Sequence, residues 1–160
     1  MKEKLVNAYM DVAERFAELS SARRLHVGAI VVKDDRIISI GYNGMPSGWD
    51  NDCEMEVSTI DSWGGYTVDK ADVDVTHTIL KSRPEVLHAE TNAIAKLAKS
   101  TESGANATMF ITHSPCLDCA KLIFQSGISR VFYRDAYRND DGIKFLNRSG
   151  VAVTQVKKGQ

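Results

Sequence analysis

From Pro84 to the end of the chain, helix-period and strand-period stretches alternate without interruption. The spacing predicts a helix over His88–Lys99, a strand over Thr108–Thr112 and a helix over Pro115–Ser126. A strand over Arg130–Arg134, a helix near Asp141–Arg148 and a strand over Val151–Val156 follow. This alternation is the strongest constraint on the fold. Strands separated by helix-sized crossovers pair in parallel, and such crossovers lay their helices on the faces of the sheet.

The N-terminal part adds an antiparallel element. Leu5, Tyr9, Val12, Phe16 and Leu19 recur at helical spacing, which predicts an amphipathic helix over Glu3–Ser20. Its apolar face serves either the core or an oligomer surface. Val27–Val32 and Arg36–Tyr42 are apolar runs joined by Lys33, Asp34 and Asp35, a hairpin pattern. Together these elements specify an α/β protein, a three-layer α/β/α sandwich around a mixed five-stranded sheet.

A chain of 160 residues suffices for one core, so a single domain spanning 1–160 is expected, with a long insertion at about 45–84. Gly44, Pro46, Gly48, Gly64, Gly65 and Pro84 punctuate that region, which reads as irregular apart from a short helix over Asp69–Lys81. Trp49, Trp63 and Tyr66 are scattered through it without forming a recognisable stacking platform.

Charge and cysteine usage narrow the function. Lys and Arg number 20 against 21 Asp and Glu, so the chain lacks the basic excess of a general nucleic-acid binder and a small substrate is favoured. The longest strongly apolar run, Gly28–Val32, is far too short to span a bilayer. The charged start at Lys2, Glu3 and Lys4 leads into no apolar signal region. The three cysteines, Cys53, Cys116 and Cys119, are an odd number in a chain too large to need disulfide staples. A reducing, cytoplasmic setting and a metal or thiol role are therefore expected, with no membrane partner.

The chemistry sits in two short motifs. His88-Ala89-Glu90 and Pro115-Cys116-Leu117-Asp118-Cys119 each open an expected helix, with one expected strand between them. Cys116 and Cys119 are three residues apart, so one helical turn brings both sulfurs to the same side, and Pro115 suits the first helical position. A helix N-terminus favours the thiolate form that a metal requires. One imidazole and two thiolates give zinc three protein ligands and leave a fourth position open, the arrangement of catalytic sites. Zinc so held lowers the pKa of water at that position from 15.7 toward about 7. Glu90, two residues from the histidine, is placed to move the proton. Either motif alone has a commoner explanation, a redox pair or half a structural zinc knuckle for Cys-x-x-Cys. In this order, His-x-Glu followed by Pro-Cys-x-x-Cys is the pattern of zinc nucleobase deaminases.

At these residues the chain resembles the cytidine and deoxycytidylate deaminase superfamily, over almost its full length. Val27-Gly28-Ala29, Gly41-Tyr42-Asn43-Gly44-Met45-Pro46, the stretch from His88 to Ile94 and the stretch from Ser114 to Lys121 are similar to the deoxycytidylate (dCMP) deaminase branch in order and spacing. The resemblance implies conversion of dCMP to dUMP, a precursor of thymidylate. It also implies His88, Cys116 and Cys119 as the ligands of one catalytic zinc, and Glu90 as the proton shuttle. For substrate it implies Asn43 on the sugar, main-chain groups of Ala89 and Ser114 on the pyrimidine edge, and Tyr137 in a nucleotide-binding loop. Arg24 is the candidate for the phosphate, the alternative being that Arg23 and Arg24 form a solvated pair.

The same resemblance implies a homo-oligomer, a hexamer, activated by dCTP and inhibited by dTTP. Gly44 and Met45 would then contact the effector, with Mg²⁺ accompanying the triphosphate. The alternative is that Gly44 and Pro46 only build a turn. One position departs from the family pattern. Some relatives hold a second zinc through a cysteine five residues before Val27-Gly28-Ala29, where this chain has Ala22. With that ligand absent, no second zinc is expected, and Cys53 reads as an ordinary thiol or small packing residue even though His77 lies nearby in sequence. Two other activities stay open at this point: a zinc deaminase for another nucleobase or a tRNA adenosine, and a non-catalytic nucleotide sensor.

Overall fold

The computed structural model describes residues 1–58 and 78–158. In chain order the elements are α1 (Glu3–Ala17), β1 (Gly28–Lys33), β2 (Arg36–Tyr42), β3 (Glu54–Ser58), β4 (Thr78–Ser82), α2 (Ala89–Ala98) and β5 (Thr108–His113). They continue with α3 (Leu117–Gln125), β6 (Arg130–Asp135), α4 (Asp141–Arg148) and β7 (Ala152–Gln155). The main sheet has five strands in the order β2-β1-β5-β6-β7. β1 is antiparallel to both β2 and β5, while β5, β6 and β7 run parallel through the α3 and α4 crossovers. The expected mixed five-stranded sheet, with an N-terminal hairpin and parallel crossovers, is therefore present.

Alternation along the central strands divides the core in two. Ala29 and Val31 of β1 with Met109 and Ile111 of β5 face Ala93 and Leu97 of α2, Ile123 of α3 and Leu146 of α4. Ile30 and Val32 of β1 with Phe110 of β5 face Val6, Met10 and Ala13 of α1 on the opposite side. Phe110 stacks on Phe132 at 5.1 Å between ring centroids and meets Tyr9 of α1 at 5.3 Å. One helix thus covers one face and three cover the other, and the apolar face of α1 belongs to the core.

Three local expectations change. α1 ends at Ala17, three residues short of Ser20, and Leu19 is exposed because the chain turns away from the sheet through the Leu19 N–H to Phe16 and Ser20 N–H to Ala17 bonds. Part of the region expected to be irregular is a two-stranded antiparallel ribbon, β3 with β4, running from Glu54↔Ser82 to Ser58↔Thr78. Residues 78–81, expected to close a helix beginning at Asp69, are strand for the same reason: their main-chain groups pair with β3. The rest of that expected helix, and Trp63, Tyr66 and His77, lie outside the described residues.

Candidate active site

Both chemical motifs lie at helix starts, next to the sheet edge where β2 and β5 end. His88 is the N-cap of α2 and Cys116 the N-cap of α3, each with extended backbone. Their carbonyls accept the first helical bonds, from Asn92 N–H at 3.0 Å and Ala120 N–H at 2.9 Å. Pro115 therefore stands just before the helix and not at its first helical position, because Cys116 takes the cap. The His88 imidazole and the Cys116 thiol turn toward each other, and Cys116 also meets Cys119 on the first turn of its own helix. Cys119, on the first turn of α3, completes the group.

The three ligand atoms lie within 4.8 Å of one another. His88 Nδ1 is 3.7 Å from Cys116 Sγ and 3.3 Å from Cys119 Sγ. A tetrahedral zinc at its usual distances from sulfur and nitrogen separates such ligands by about 3.5 Å. The donor set, its spacing and its soft thiolate character therefore fit zinc. It is the only such cluster of three or more ligating side chains among the described residues.

Charge in the group is strongly coupled. Hydrogen bonding with Cys119 and then His88 pulls the Cys116 thiol down to about 4, so it stands as a thiolate. That negative neighbour, together with burial, drives the Cys119 thiol far up. The hydrogen bond to Cys116 raises His88. Two sulfurs that cannot both ionise alone need a cation to do so, which is what a divalent metal provides. Glu90 is buried, and burial is the largest influence on its carboxyl, raising it to about 6 against the opposing helix amide and His88. A carboxyl poised near neutrality can both take and give a proton.

A cleft of about 490 Å³ opens beside this group, and it is lined by every residue expected to touch substrate: Arg24, Asn43, Ala89, Ser114 and Tyr137. Several of their polar groups are already committed. Asn43 Oδ1 accepts the Val27 N–H at 2.8 Å and its Nδ2 donates to the Leu25 carbonyl at 2.8 Å, which leaves one amide hydrogen for a ligand. The Ser114 N–H donates to the Asp135 carbonyl and its hydroxyl accepts the Tyr137 N–H at 2.7 Å, which leaves the Ser114 carbonyl for a donor on a ligand. Ala89, at the first helical position, has an N–H with no intrahelical acceptor.

Sequence reasoning did not single out His113, Arg83, Arg138 or Glu54, which also line the cleft. His113 and Arg138 adjoin named residues and were within reach of the motif argument. Arg83 and Glu54 arrive through the β3–β4 ribbon, for which no periodic signal exists. Outside the cleft, Gly44 pairs with Leu87 in both directions, at 3.1 and 2.9 Å, so its N–H is used within the chain. Met45 lines a separate depression of about 340 Å³ with Trp49 and Arg83. Cys53 is buried with its sulfur 3.4 Å from the Ser21 hydroxyl, and Ala22, which follows Ser21 in the chain, is buried too.

Comparison with known proteins agrees with this geometry. A family model described as the cytidine and deoxycytidylate deaminase zinc-binding region matches residues 3–135. The deoxycytidylate deaminase of Enterobacteria phage T4 is 33% identical over 93% of this chain and 88% of its own length. The human deoxycytidylate deaminase is 35% identical over 83% of this chain and 66% of its own. The crystal structure of dCMP deaminase from the cyanophage S-TIM5 in complex with dCMP and dUMP superposes with a TM-score of 0.81 at 43% identity, covering 98% of this chain and 99% of that one. With its own zinc-type ligand triad and buried glutamate at the matching motifs, the chain belongs to the cytidine and deoxycytidylate deaminase family.

Proposed function

We propose that this protein deaminates dCMP to dUMP and ammonia with one catalytic zinc held by His88, Cys116 and Cys119. The observation that carries the reading is the convergence of one imidazole nitrogen and two sulfurs beside buried Glu90, on a cleft whose wall carries Asn43, Tyr137 and Arg24. Zinc, when bound, supplies Lewis acidity that makes water reactive at neutral pH. Glu90 would carry one proton of the attacking water to the ring nitrogen next to C4 and then the second, from the oxygen now bound to C4, to the departing amine. In balance, the C4–N bond breaks, a C4–O bond forms, and ammonia leaves. In this reading the Ser114 carbonyl and Ala89 N–H meet the base as acceptor and donor, Asn43 the sugar and Arg24 the phosphate, with Tyr137 in the nucleotide-binding loop; the reading is supported by all five lining one cleft.

The reading extends to regulation: activation by dCTP and inhibition by dTTP, with Mg²⁺ on the triphosphate, in a homo-hexamer. Only its link to the catalytic centre has support here: Gly44 pairs with Leu87, the residue immediately before His88, so the Gly44–Met45 loop is tied by main-chain bonds to the α2 N-terminus. None of the three cysteines is paired in a disulfide, which supports a reducing, cytoplasmic setting; no helix among the described residues is long and apolar enough to cross a membrane.

Ammonia release measured with dCMP, dCTP, cytidine, deoxycytidine and a tRNA substrate tests the reading. dCMP should be turned over in strong preference. Turnover of tRNA adenosine alone identifies another deaminase, and binding without turnover of any substrate identifies a sensor. Either result overturns the proposal.

A further inference from the structure

The chain between α1 and β1 forms neither helix nor strand, so its main-chain donors need partners from elsewhere. Two of them share one. The Arg23 N–H donates to both carboxylate oxygens of Glu54 at 3.0 Å, and the Arg24 N–H donates to Glu54 Oε1 at 3.1 Å. Glu54 opens β3 and its side chain is only 1% exposed. A carboxylate that deeply buried is stable only when its charge and lone pairs are met. Here the two N–H groups meet the lone pairs, and the Arg23 guanidinium, 3.7 Å away, meets the charge.

Directly across the ribbon, Glu54 pairs with Ser82 of β4. The Ser82 hydroxyl accepts from Arg24 Nη1 at 3.3 Å. One rung of β3–β4 therefore holds Arg24 at both ends, its main chain through Glu54 and its guanidinium through Ser82. Arg24, Glu54 and Ser82 all line the cleft beside the metal-ligand group. An exposed arginine on an irregular loop ordinarily loses rotamer freedom on binding an anion, and a guanidinium fixed beforehand loses less.

We propose that Glu54, with Ser82 opposite it, is a positioning residue that aims Arg24 at the 5′-phosphate, so that this ribbon sets the preference for a nucleoside monophosphate over the nucleoside. The inference rests on the deaminase reading above and on the assignment of Arg24 to the phosphate. Glu54 touches neither base nor metal ligand; it acts through Arg24.

Steady-state kinetics with dCMP and deoxycytidine on the zinc-loaded wild type, Glu54→Ala, Glu54→Gln, Ser82→Ala, Arg24→Ala and the double variant Glu54→Ala/Arg24→Ala test this. Loss of a well-aimed charge-assisted contact should raise the dCMP KM of Glu54→Ala about 10-fold or more. Its kcat should stay within about 3-fold, with kcat/KM for deoxycytidine unchanged. Glu54→Gln retains a carbonyl oxygen for both N–H groups and should fall between wild type and Glu54→Ala. The double variant should match Arg24→Ala, because a residue acting through Arg24 has nothing left to act on. The proposal is overturned if Glu54→Ala impairs both substrates alike, or costs the same factor with Arg24 already removed. Should Glu54→Ala not fold, Glu54→Gln and Ser82→Ala decide by the same substrate ratio: a selective loss on dCMP supports the proposal and an unchanged ratio overturns it. A wild type inactive on dCMP is instead a failure of the deaminase reading itself.

Discussion

Gly41 in β2 lies against Ala89 in the first turn of α2 so closely that a Cβ on Gly41 would sit 2.1 Å from the Ala89 carbonyl oxygen and 2.6 Å from the Ala93 nitrogen. Strand and helix meet here backbone to backbone. That approach brings the α2 N-terminus, with His88 and Glu90, to the end of the strand that delivers Asn43. Gly41→Ala should therefore push α2 outward, at a cost of about 1–3 kcal/mol for an overpacked site. In a chain of this length, each kcal/mol lowers the midpoint of thermal unfolding by roughly 2–4 °C. Zinc retained per chain after dialysis should fall with it. Unchanged melting and zinc content would show that the helix position is not set at Gly41.

Glu90→Gln preserves shape and removes the carboxyl to which the proposed mechanism assigns proton transfer. Zinc content should equal that of wild type, while dUMP formation falls by about 10²–10⁴-fold, the usual contribution of a positioned acid–base group. A variant that keeps wild-type turnover removes Glu90 from the chemistry.

Replacing Cys116 or Cys119 by Ser leaves two of the three proposed ligands. Zinc should be lost on dialysis in both variants. Zinc added to the chelator-stripped wild type should raise its unfolding free energy, by about 4 kcal/mol when free zinc exceeds its Kd 1,000-fold, and should leave the serine variants unmoved. Differential scanning calorimetry with and without zinc distinguishes these outcomes.

In the metal-free protein, Glu90 gives a stability term with a definite sign. Its carboxyl is held at about 6 in the folded chain against 4.5 as the ordinary value, so the folded state grips the proton more tightly. The contribution is fully present below pH 4.5 and is lost as pH rises through 6. The loss amounts to about 2 kcal/mol. Urea unfolding of chelator-treated wild type against Glu90→Gln should show this difference developing across that window. Parallel pH curves for the two proteins would contradict the burial argument.

The parts of this fold that could be read in advance are those where the periodic pattern and the tertiary role coincide. β1, β5 and β6 are buried on both faces, so runs such as Ala29–Val32 announce themselves, and the intervening helices show apolar stripes. β4 fails that test. Four of its five residues are exposed, so Thr78–Ser82 carries no alternation, and its strand character comes only from pairing with β3. The His88, Cys116 and Cys119 cluster was legible because metal-ligand chemistry limits residue type and spacing. Their status as helix caps was not, since His and Cys are not preferred caps and the positions are held by packing. Gly142 of α4, whose Cβ would lie 2.0 Å from the Pro115 carbonyl oxygen, is one source of that packing. Glu54 escaped notice for a related reason: nothing in a local stretch indicates that a carboxylate will close on main-chain N–H groups about thirty residues away.

Stepwise addition of zinc to chelator-stripped protein, with dUMP production from dCMP recorded at each addition, tests the assignment of His88, Cys116 and Cys119 most directly. Activity should rise from zero in proportion to metal and level off at one zinc per chain. Full activity in stripped protein, or saturation with zinc that yields no dUMP, would contradict it.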